Sequence, residues 1–498
     1  MTHYSPVIIV GAGPVGLSLA IGLSRRGVPS TIIEKAEGLE PYSRAILVPA
    51  RTLDIFEEWG ILGTMIDAGI YVPQLRVYDA RSSKLVIAID FSDLKAVTQT
   101  PGFLFLPQDR IERLLLEAVR SSQLSSVRFG AAATGFQQTS EGVTVSVQDH
   151  GQSYEISGRF LVGCDGAHSV TRRSLGLSLL GKTLKARVLI ADVALSTDLE
   201  LPTPRLALTA SGPLVLLKFD ENRWRIVGVV ERDETEEEAR SEAGVASRVR
   251  ALAGDVPFRL LWSSTFQIHN RMAQKMRVAN VLLAGDAVHL SSPAGGMGMN
   301  SGIEDAHNLA WKLALALSRN DANVLDSYET ERMYAMKHAV EPTSDVASNT
   351  LYFAPWPLRL FFISLFYVIM RIKPARSRIL AMMNMLSTKY PPSDIARGDA
   401  RWVGRIAPNC AITNKPQVRL LEGRWGKAVI VCYDVAAKPA YSDVVYVSAE
   451  NGQVFRRTWK VRRPFCAVIR PDGFIGWARE RPSAGHISDA VKFASEIS

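Results

Sequence analysis

The run Val7-Ile8-Ile9-Val10-Gly11-Ala12-Gly13-Pro14-Val15-Gly16 leaves few folds open to the chain, because a helically spaced stretch, Leu17 to Arg26, and a second β-branched run, Ser30-Thr31-Ile32-Ile33, follow it. A strand, a glycine-rich turn, a helix and a second strand form a βαβ unit, and such units build parallel sheets. Each glycine has its own task. Gly11 permits the tight turn, Gly13 lets the backbone approach a pyrophosphate, and Gly16 lets the helix pack closely on the strand. The positive end of the helix then faces the phosphates. Glu34, with Lys35 beside it, closes the second strand. A carboxylate there accepts ribose hydroxyls and disfavours a 2′-phosphate. The unit predicts a bound dinucleotide, with FAD and NAD still undistinguished.

Two further strands end in acid-and-glycine turns. Phe160 to Gly163 runs into Cys164-Asp165-Gly166, and Asn280 to Ala284 runs into Gly285-Asp286. The second turn continues as Ala287-Val288-His289-Leu290-Ser291-Ser292-Pro293-Ala294-Gly295-Gly296-Met297-Gly298-Met299-Asn300 and then into a helical stretch, Gly302 to Leu317. These two blocks resemble the DG and GD fingerprints of the single-component flavoprotein monooxygenases typified by p-hydroxybenzoate hydroxylase and phenol hydroxylase. For a flavin the second block makes physical sense. Asp286 at a strand end can hold ribityl hydroxyls, bare backbone at Gly295 to Gly298 leaves room for the ring, and a helix beginning near Met299 points its positive end at the N1/C2 edge.

The resemblance implies bound FAD, NAD(P)H as a transient co-substrate, O₂, and a flavin C4a-hydroperoxide that hydroxylates an aromatic small molecule, phenolic or polyketide-like. It also implies cofactor contacts at Gly11, Gly13, Pro14, Val15, Gly16, Glu34, Lys35, Arg44, Gln108, Asp165, Gly285, Asp286, Pro293, Gly296, Gly298, Met299 and Asn300. Arg51, near Arg44, is equally well read as a structural ion-pair residue. The same fingerprints serve related flavin enzymes that epoxidise, carry out Baeyer-Villiger oxidation or reduce double bonds.

The pattern between residues 179 and 277 alternates as short strands broken by polar turns, which predicts an antiparallel-sheet substrate domain inserted into the FAD-binding domain. The FAD-binding domain is thus discontinuous, 1–178 and 278–395, the second part carrying helices. Pro391-Pro392-Ser393 reads as a linker. Residues 396–498 return to strands, and Arg470-Pro471-Asp472-Gly473-Phe474-Ile475-Gly476-Trp477 resembles the end of the thioredoxin-like domain of phenol, polyketide and phenylpropionate hydroxylases. The whole is an α/β protein: a Rossmann-like FAD-binding domain, an inserted antiparallel sheet and a C-terminal thioredoxin-like domain. That last domain has no CxxC, so packing or assembly is its expected role. Substrate contacts are expected at His269 and Arg271, with Arg205, Lys218, Arg223, Trp224 and Arg225 as further candidates. His289 and His307 are explained as well by packing as by chemistry.

Charge narrows the partners. The 498 residues carry a net +9, yet residues 371–498 hold 22 Lys+Arg against 10 Asp+Glu, so the rest is slightly acidic. With no nucleic-acid motif beside it, this surplus reads as solvated surface, and a nucleic-acid partner is not expected. Four scattered cysteines give no metal or disulfide spacing, and no charged-then-apolar leader precedes Val7. A cytoplasmic protein without a bound metal is expected. The apolar run Leu360 to Met370 is too short to cross a bilayer. It reads as a buried helix, or as a weak monotopic membrane contact near 356–378, since basic residues follow it. A homodimer is compatible with this reading.

Overall fold

The computed structural model describes all residues except 1–2, 42–44, 196–200, 202, 210–211, 232, 292–295, 343–355, 414–417, 437–439 and 451. At its centre a six-stranded sheet runs in the order Arg277–Val278, Val281–Leu283, Phe160–Gly163, Val7–Val10, Ser30–Ile33, Ser125–Arg128. All neighbours are parallel except the first pair. Strands covered on both faces have no solvent side, which is why Val7–Val10 and Phe160–Gly163 are apolar throughout and wholly buried. Two helices cover one face together, Pro14–Ser24 and the 23-residue Met297–Arg319. They approach so closely that a β-carbon on Gly22 would lie 2.7 Å from the Ala310 Cβ.

An eight-stranded sheet forms the second layer, in the order His289–Leu290, Phe258–Ala273, Leu179–Leu195, Arg223–Val229, Pro213–Lys218, Arg205–Leu208, Gln74–Asp79, Leu85–Asp90. Its last two strands come from residues 74–90, a stretch that the sequence pattern leaves with the first part of the FAD-binding domain. They join because Arg205–Leu208 offers an open edge, to which Gln74–Asp79 adds in parallel. A three-stranded sheet, Leu47–Pro49, Phe103–Phe105 and Ile70–Val72, lies between the layers.

The C-terminal unit is a five-stranded mixed sheet, in which Val429–Tyr433 pairs parallel with Val444–Val447 and antiparallel with Phe465–Ile469, flanked by Gln453–Trp459 and Ala484–Glu496. This is the thioredoxin-like arrangement. Cys432 and Cys466, far apart in sequence, are cross-strand partners with sulfurs 3.7 Å apart, both as free thiols. The unit is clamped to the FAD-binding domain by buried charge. Glu331 holds Arg470 (Nη2 to Oε2, 2.9 Å) and Lys312 (2.7 Å), and Asp472 accepts from Asn308 and the Trp311 indole.

The segment at Pro391-Pro392-Ser393 connects the helical region to the C-terminal unit without helix or strand of its own. Tyr390 before it is buried, stacks on Phe474 at 4.0 Å and donates its amide to Gly404. The apolar run is not a buried helix. It forms the helix Trp356–Ile369, on which Leu358, Phe361, Phe362, Leu365, Tyr367 and Val368 are exposed. No helix among the described residues is long and apolar enough to cross a membrane.

Candidate functional site

Three glycine turns meet at the carboxyl ends of the central strands, the place where open parallel sheets bind ligands. Gly11 has φ +105°, and a β-carbon there would lie 2.5 Å from the Cys164 carbonyl oxygen. On Gly16 it would lie 2.0 Å from the Gly11 oxygen, whereas on Gly13 it would meet nothing within 4 Å. The first and third glycines are therefore required by protein packing, and the middle one faces open space. Gly13 is also the N-cap of Pro14–Ser24 and has no capping side chain. Among the described residues no side chain caps the first amides of this helix, and an anion can satisfy such a terminus.

Glu34 sits at the rim of this turn. Its carboxylate accepts the amides of Ala12 (2.8 Å) and Ala36 (2.9 Å), one per oxygen, which fixes it and leaves lone pairs for hydroxyl donors. Lys35 is exposed beside it. Gln108 begins the helix Gln108–Ser121 and is tied to Ala45, its amide donating to the Ala45 carbonyl at 3.0 Å and its Oε1 accepting the Ala45 amide. It also donates to Glu112 at 2.8 Å. Burial pushes the Glu112 carboxyl up to about 7, and Asp109, Glu34 and Glu40 add to that against the Gln108 hydrogen bond. Sequence reasoning missed Glu112; its only signal was a carboxylate one turn after Gln108. Arg44 and Pro293 lie outside the described residues.

In the second turn Asp165 accepts Ser169 Oγ and the Thr171 amide and hydroxyl, so it caps the short helix Val170–Ser174. Arg172, buried and also missed, joins this turn to the third by donating to the carbonyls of Ala167 and Ala287, both at 2.9 Å.

The third turn is held from behind. Gly285 has φ +61° and donates its amide to Asp305 at 2.9 Å, while Asp286 stands exposed at the strand end. Asp305, fully buried, also takes His289 Nε2 and Arg332 Nε, each at 2.7 Å. Burial alone would raise its carboxyl; His289 and Arg332 outweigh that and hold it at about 2. The helix expected near Met299 starts at Met297, with Gly296 as its left-handed N-cap (φ +67°) and no capping side chain. A β-carbon on Gly298 would meet only Ser291 Oγ, at 3.7 Å. Asn300 is buried with its side chain fully used. It accepts from Thr52 Oγ1 and donates to the carbonyls of Leu47 and Gly296. It therefore clamps the helix start onto Leu47–Pro49, and what it presents outward is the shape of the turn.

The donor set fits FAD. Two helix starts without capping side chains converge with an acid at the ribose position, an open Gly13 and an open Gly298. Near the third turn His289 Nδ1, Ser291 Oγ and Ser301 Oγ are buried without a hydrogen-bond partner among the described residues. A cleft of about 830 Å³ involving Ile21, Arg25, Trp59 and Trp425 lies at the far end of Pro14–Ser24 and is not this site.

On the substrate side the structure separates the candidates. His269 and Arg271 share Thr183, whose Oγ1 lies 2.9 Å from His269 Nδ1 and 2.6 Å from Arg271 Nη2, and Arg271 pairs in register with Leu290 beside the third turn. Burial, then Arg271, pulls the imidazole below its usual value. The other candidates fare differently. Arg205 is buried and spent on the Leu252 and Ala80 carbonyls, Trp224 lies in the core of the large sheet, and Arg223 pairs with Asp220. Arg225 is buried in a two-pronged pair with Asp192. Lys218 lines a cavity of about 390 Å³ with Tyr71, Phe105 and Pro204. Arg51 is structural: buried, it donates to Glu304 and to the Asp472 carbonyl. His307 is bound to Glu58 at 2.5 Å in the same network.

Fold and site together define an FAD-dependent monooxygenase. Residues 4–343 match the FAD binding domain family. A flavin-dependent monooxygenase of Mycobacteroides abscessus is 34% identical over 491 residues, covering 94% of this chain and 96% of that one. The 6-methylpretetramide 4-monooxygenase of Streptomyces rimosus is 30% identical, covering 95% and 91%. Among solved structures, the anhydrotetracycline hydroxylase of Streptomyces rimosus superposes with a TM-score of 0.79 at 26% identity over 99% of both chains. A ternary complex of aklavinone-11 hydroxylase shares the fold at TM-score 0.82 and 21% identity, covering 100% of this chain and 99% of that one. The chain belongs to the FAD binding domain family and is a flavin-dependent aromatic monooxygenase.

Proposed function

We propose that this protein hydroxylates an electron-rich aromatic ring of a phenolic or polyketide-like molecule, with NAD(P)H as reductant. When bound, FAD would supply the redox and O₂ chemistry of the reaction, with NAD(P)H as the source of electrons. The chain's own residues bind, orient and exclude water. Gly11, Gly13, Pro14, Val15 and Gly16 would hold the pyrophosphate at the helix start, Glu34 and Lys35 would meet the adenosine ribose, and Gln108 would face the ribityl stretch. Asp286 takes ribityl hydroxyls on the turn shaped by Gly285, while Asp165 shapes the neighbouring one. Gly296, Gly298, Met299 and Asn300 would form the wall at the pyrimidine edge, where uncapped amides would offset negative charge on the ring. His269, with its lowered basicity, is neutral at pH 7 and can receive a phenolic proton, while Arg271 stabilises the phenolate. Residues 1–178 and 278–395 act as the cofactor-binding unit, 179–277 as the main substrate wall and 396–498 as a structural cap.

The observation that supports this reading is the meeting of glycine turns at the carboxyl ends of the central strands, Val15 of the first packed on Gly285 and Gly302 of the third, with Gly13 and Gly298 left open. The test is purified protein with NADH or NADPH and a panel of phenols and naphthoquinones. Substrate-stimulated O₂ uptake with a product heavier by one oxygen is expected. Nicotinamide oxidation without O₂ uptake would show a reductase instead.

A further inference from the structure

The flavin chemistry leaves one feature unused. The helix Trp356–Ile369 touches the body through Phe366, with Met370 just beyond its end, both packed against the cluster of Phe91, Leu94 and Phe103. Most of its remaining described side chains stand in solvent. Phe361 is 58% exposed and Val368 56%, and Ile372 just past the helix is 55% exposed. Leu358, Phe361, Phe362, Leu365, Val368 and Ile372 recur at three- and four-residue spacing, so they form one continuous stripe. Soluble proteins rarely expose so large an apolar face without a partner for it.

Charge identifies the partner. From residue 346 to 393 the sequence holds six basic residues, Arg359, Arg371, Lys373, Arg376, Arg378 and Lys389, and no acidic one. Arg371, Lys373 and Arg378 are exposed just beyond the stripe, and the Arg371 guanidinium covers the Tyr367 ring at its edge, 4.8 Å from the centroid. The support beneath is firm: Arg376 pairs with Asp93 at 2.9 Å, and Leu380 is fully buried. A symmetric second copy would set this basic, acid-free stretch of chain against itself, since two-fold interfaces are self-complementary. An anionic surface with an apolar interior satisfies both halves of the pattern.

We propose that the exposed face of helix Trp356–Ile369, together with Arg371, Lys373 and Arg378, docks the protein on an anionic phospholipid surface. At 14 residues the helix lies in the plane of the interface, its apolar stripe among the acyl chains and its basic end at the headgroups. The fold also ties this unit to the flavin site, because Asn384, at the end of the next helix, accepts the Ala50 amide beside Leu47–Pro49. The proposal does not depend on which ring is hydroxylated.

The test is co-sedimentation of the full-length, flavin-loaded protein with vesicles of phosphatidylcholine alone, or of phosphatidylcholine and phosphatidylglycerol in equal parts, at low and high salt. Expected is binding to the anionic vesicles, weakened by salt, with little binding to the neutral ones. Phe361→Ser with Leu365→Ser, and separately Lys373→Glu with Arg378→Glu, should each lower partitioning by about tenfold or more while the flavin spectrum stays unchanged. No binding to anionic vesicles at low salt overturns the proposal, as does equal binding by the Ser double variant. A dimer that the Ser double variant splits, without vesicle binding, makes the face a subunit interface and overturns it equally.

Discussion

The side chain of Val15, from the first glycine turn, occupies the space where a β-carbon on Gly302 would lie, 2.5 Å from Val15 Cγ2. The same methyl would be 2.8 Å from a β-carbon on Gly285. One β-branched residue thus locks the first glycine turn against both the turn and the helix of the third block, far apart in sequence.

Gly302→Ala should therefore cost flavin. In a helix alanine is preferred to glycine by about 1 kcal/mol, but the stiff Val15 rotamer cannot yield. Purified Gly302→Ala is expected to retain FAD at least about tenfold less tightly, and Val15→Ala added to it should restore much of the loss. Flavin titration by fluorescence quenching reads both. Equal affinity in wild type and Gly302→Ala would refute the packing argument.

Asp305 positions the Gly285 turn from behind. Its carboxyl is held at about 2 in the fold, below the ordinary 3.8. A depressed carboxyl contributes stability above its unfolded value and loses it as the pH falls from about 3.8 to about 2. Asp305→Asn should release flavin at neutral pH and flatten that part of the acid unfolding curve, which thermal melts from pH 2 to 7 would show.

Asp54 has the opposite sign. Burial pushes it up to about 7, against the Thr98 hydrogen bond and the charges of Arg51 and Arg419. A raised carboxyl loses stability as the pH climbs from its unfolded value of about 3.8 to about 7. Asp54→Asn keeps an acceptor for Thr98, which now donates at 2.7 Å. It should stabilise the protein at pH 8, by at most about 4 kcal/mol for a shift of this size, and leave it little changed at pH 4.

The clamp between the domains should answer unequally to its two ends. Glu331→Ala strips Lys312 of its carboxylate partner in a dry interior and leaves Arg470 with Asp472 alone, and is expected to cost about 3–5 kcal/mol. Lys312→Met leaves Glu331 paired with Arg470 and should cost less than half as much. Chemical denaturation of both variants, followed by tryptophan fluorescence, measures the difference.

His269→Gln should remove the acid limb of the pH–rate profile for a phenolic substrate. With its basicity lowered by burial, His269 is deprotonated from below pH 6.5 upward, so the wild-type limb falls below that value. A profile unchanged in His269→Gln would assign the proton to another group.

The sequence alone determined the βαβ start, the three glycine turns and the acid at Glu34. Those features are local, each needing a residue type at a fixed backbone position, and physical chemistry reads them without knowing the fold. It also showed a basic tail and an apolar run, but not where either lies. Tertiary structure decided that Arg51, Arg205, Trp224 and Arg225 are structural, because what spends a side chain is its distant partners. Arg51 is bound to Glu304 and Asp472, and Arg225 to Asp192. It also decided that Glu112 binds Gln108, that Arg172 bridges the second and third turns, that strands 74–90 complete the large sheet, and that Phe361 and Val368 face solvent. In each case the sequence carries the residue, while its burial and partners come from chain segments packed against it.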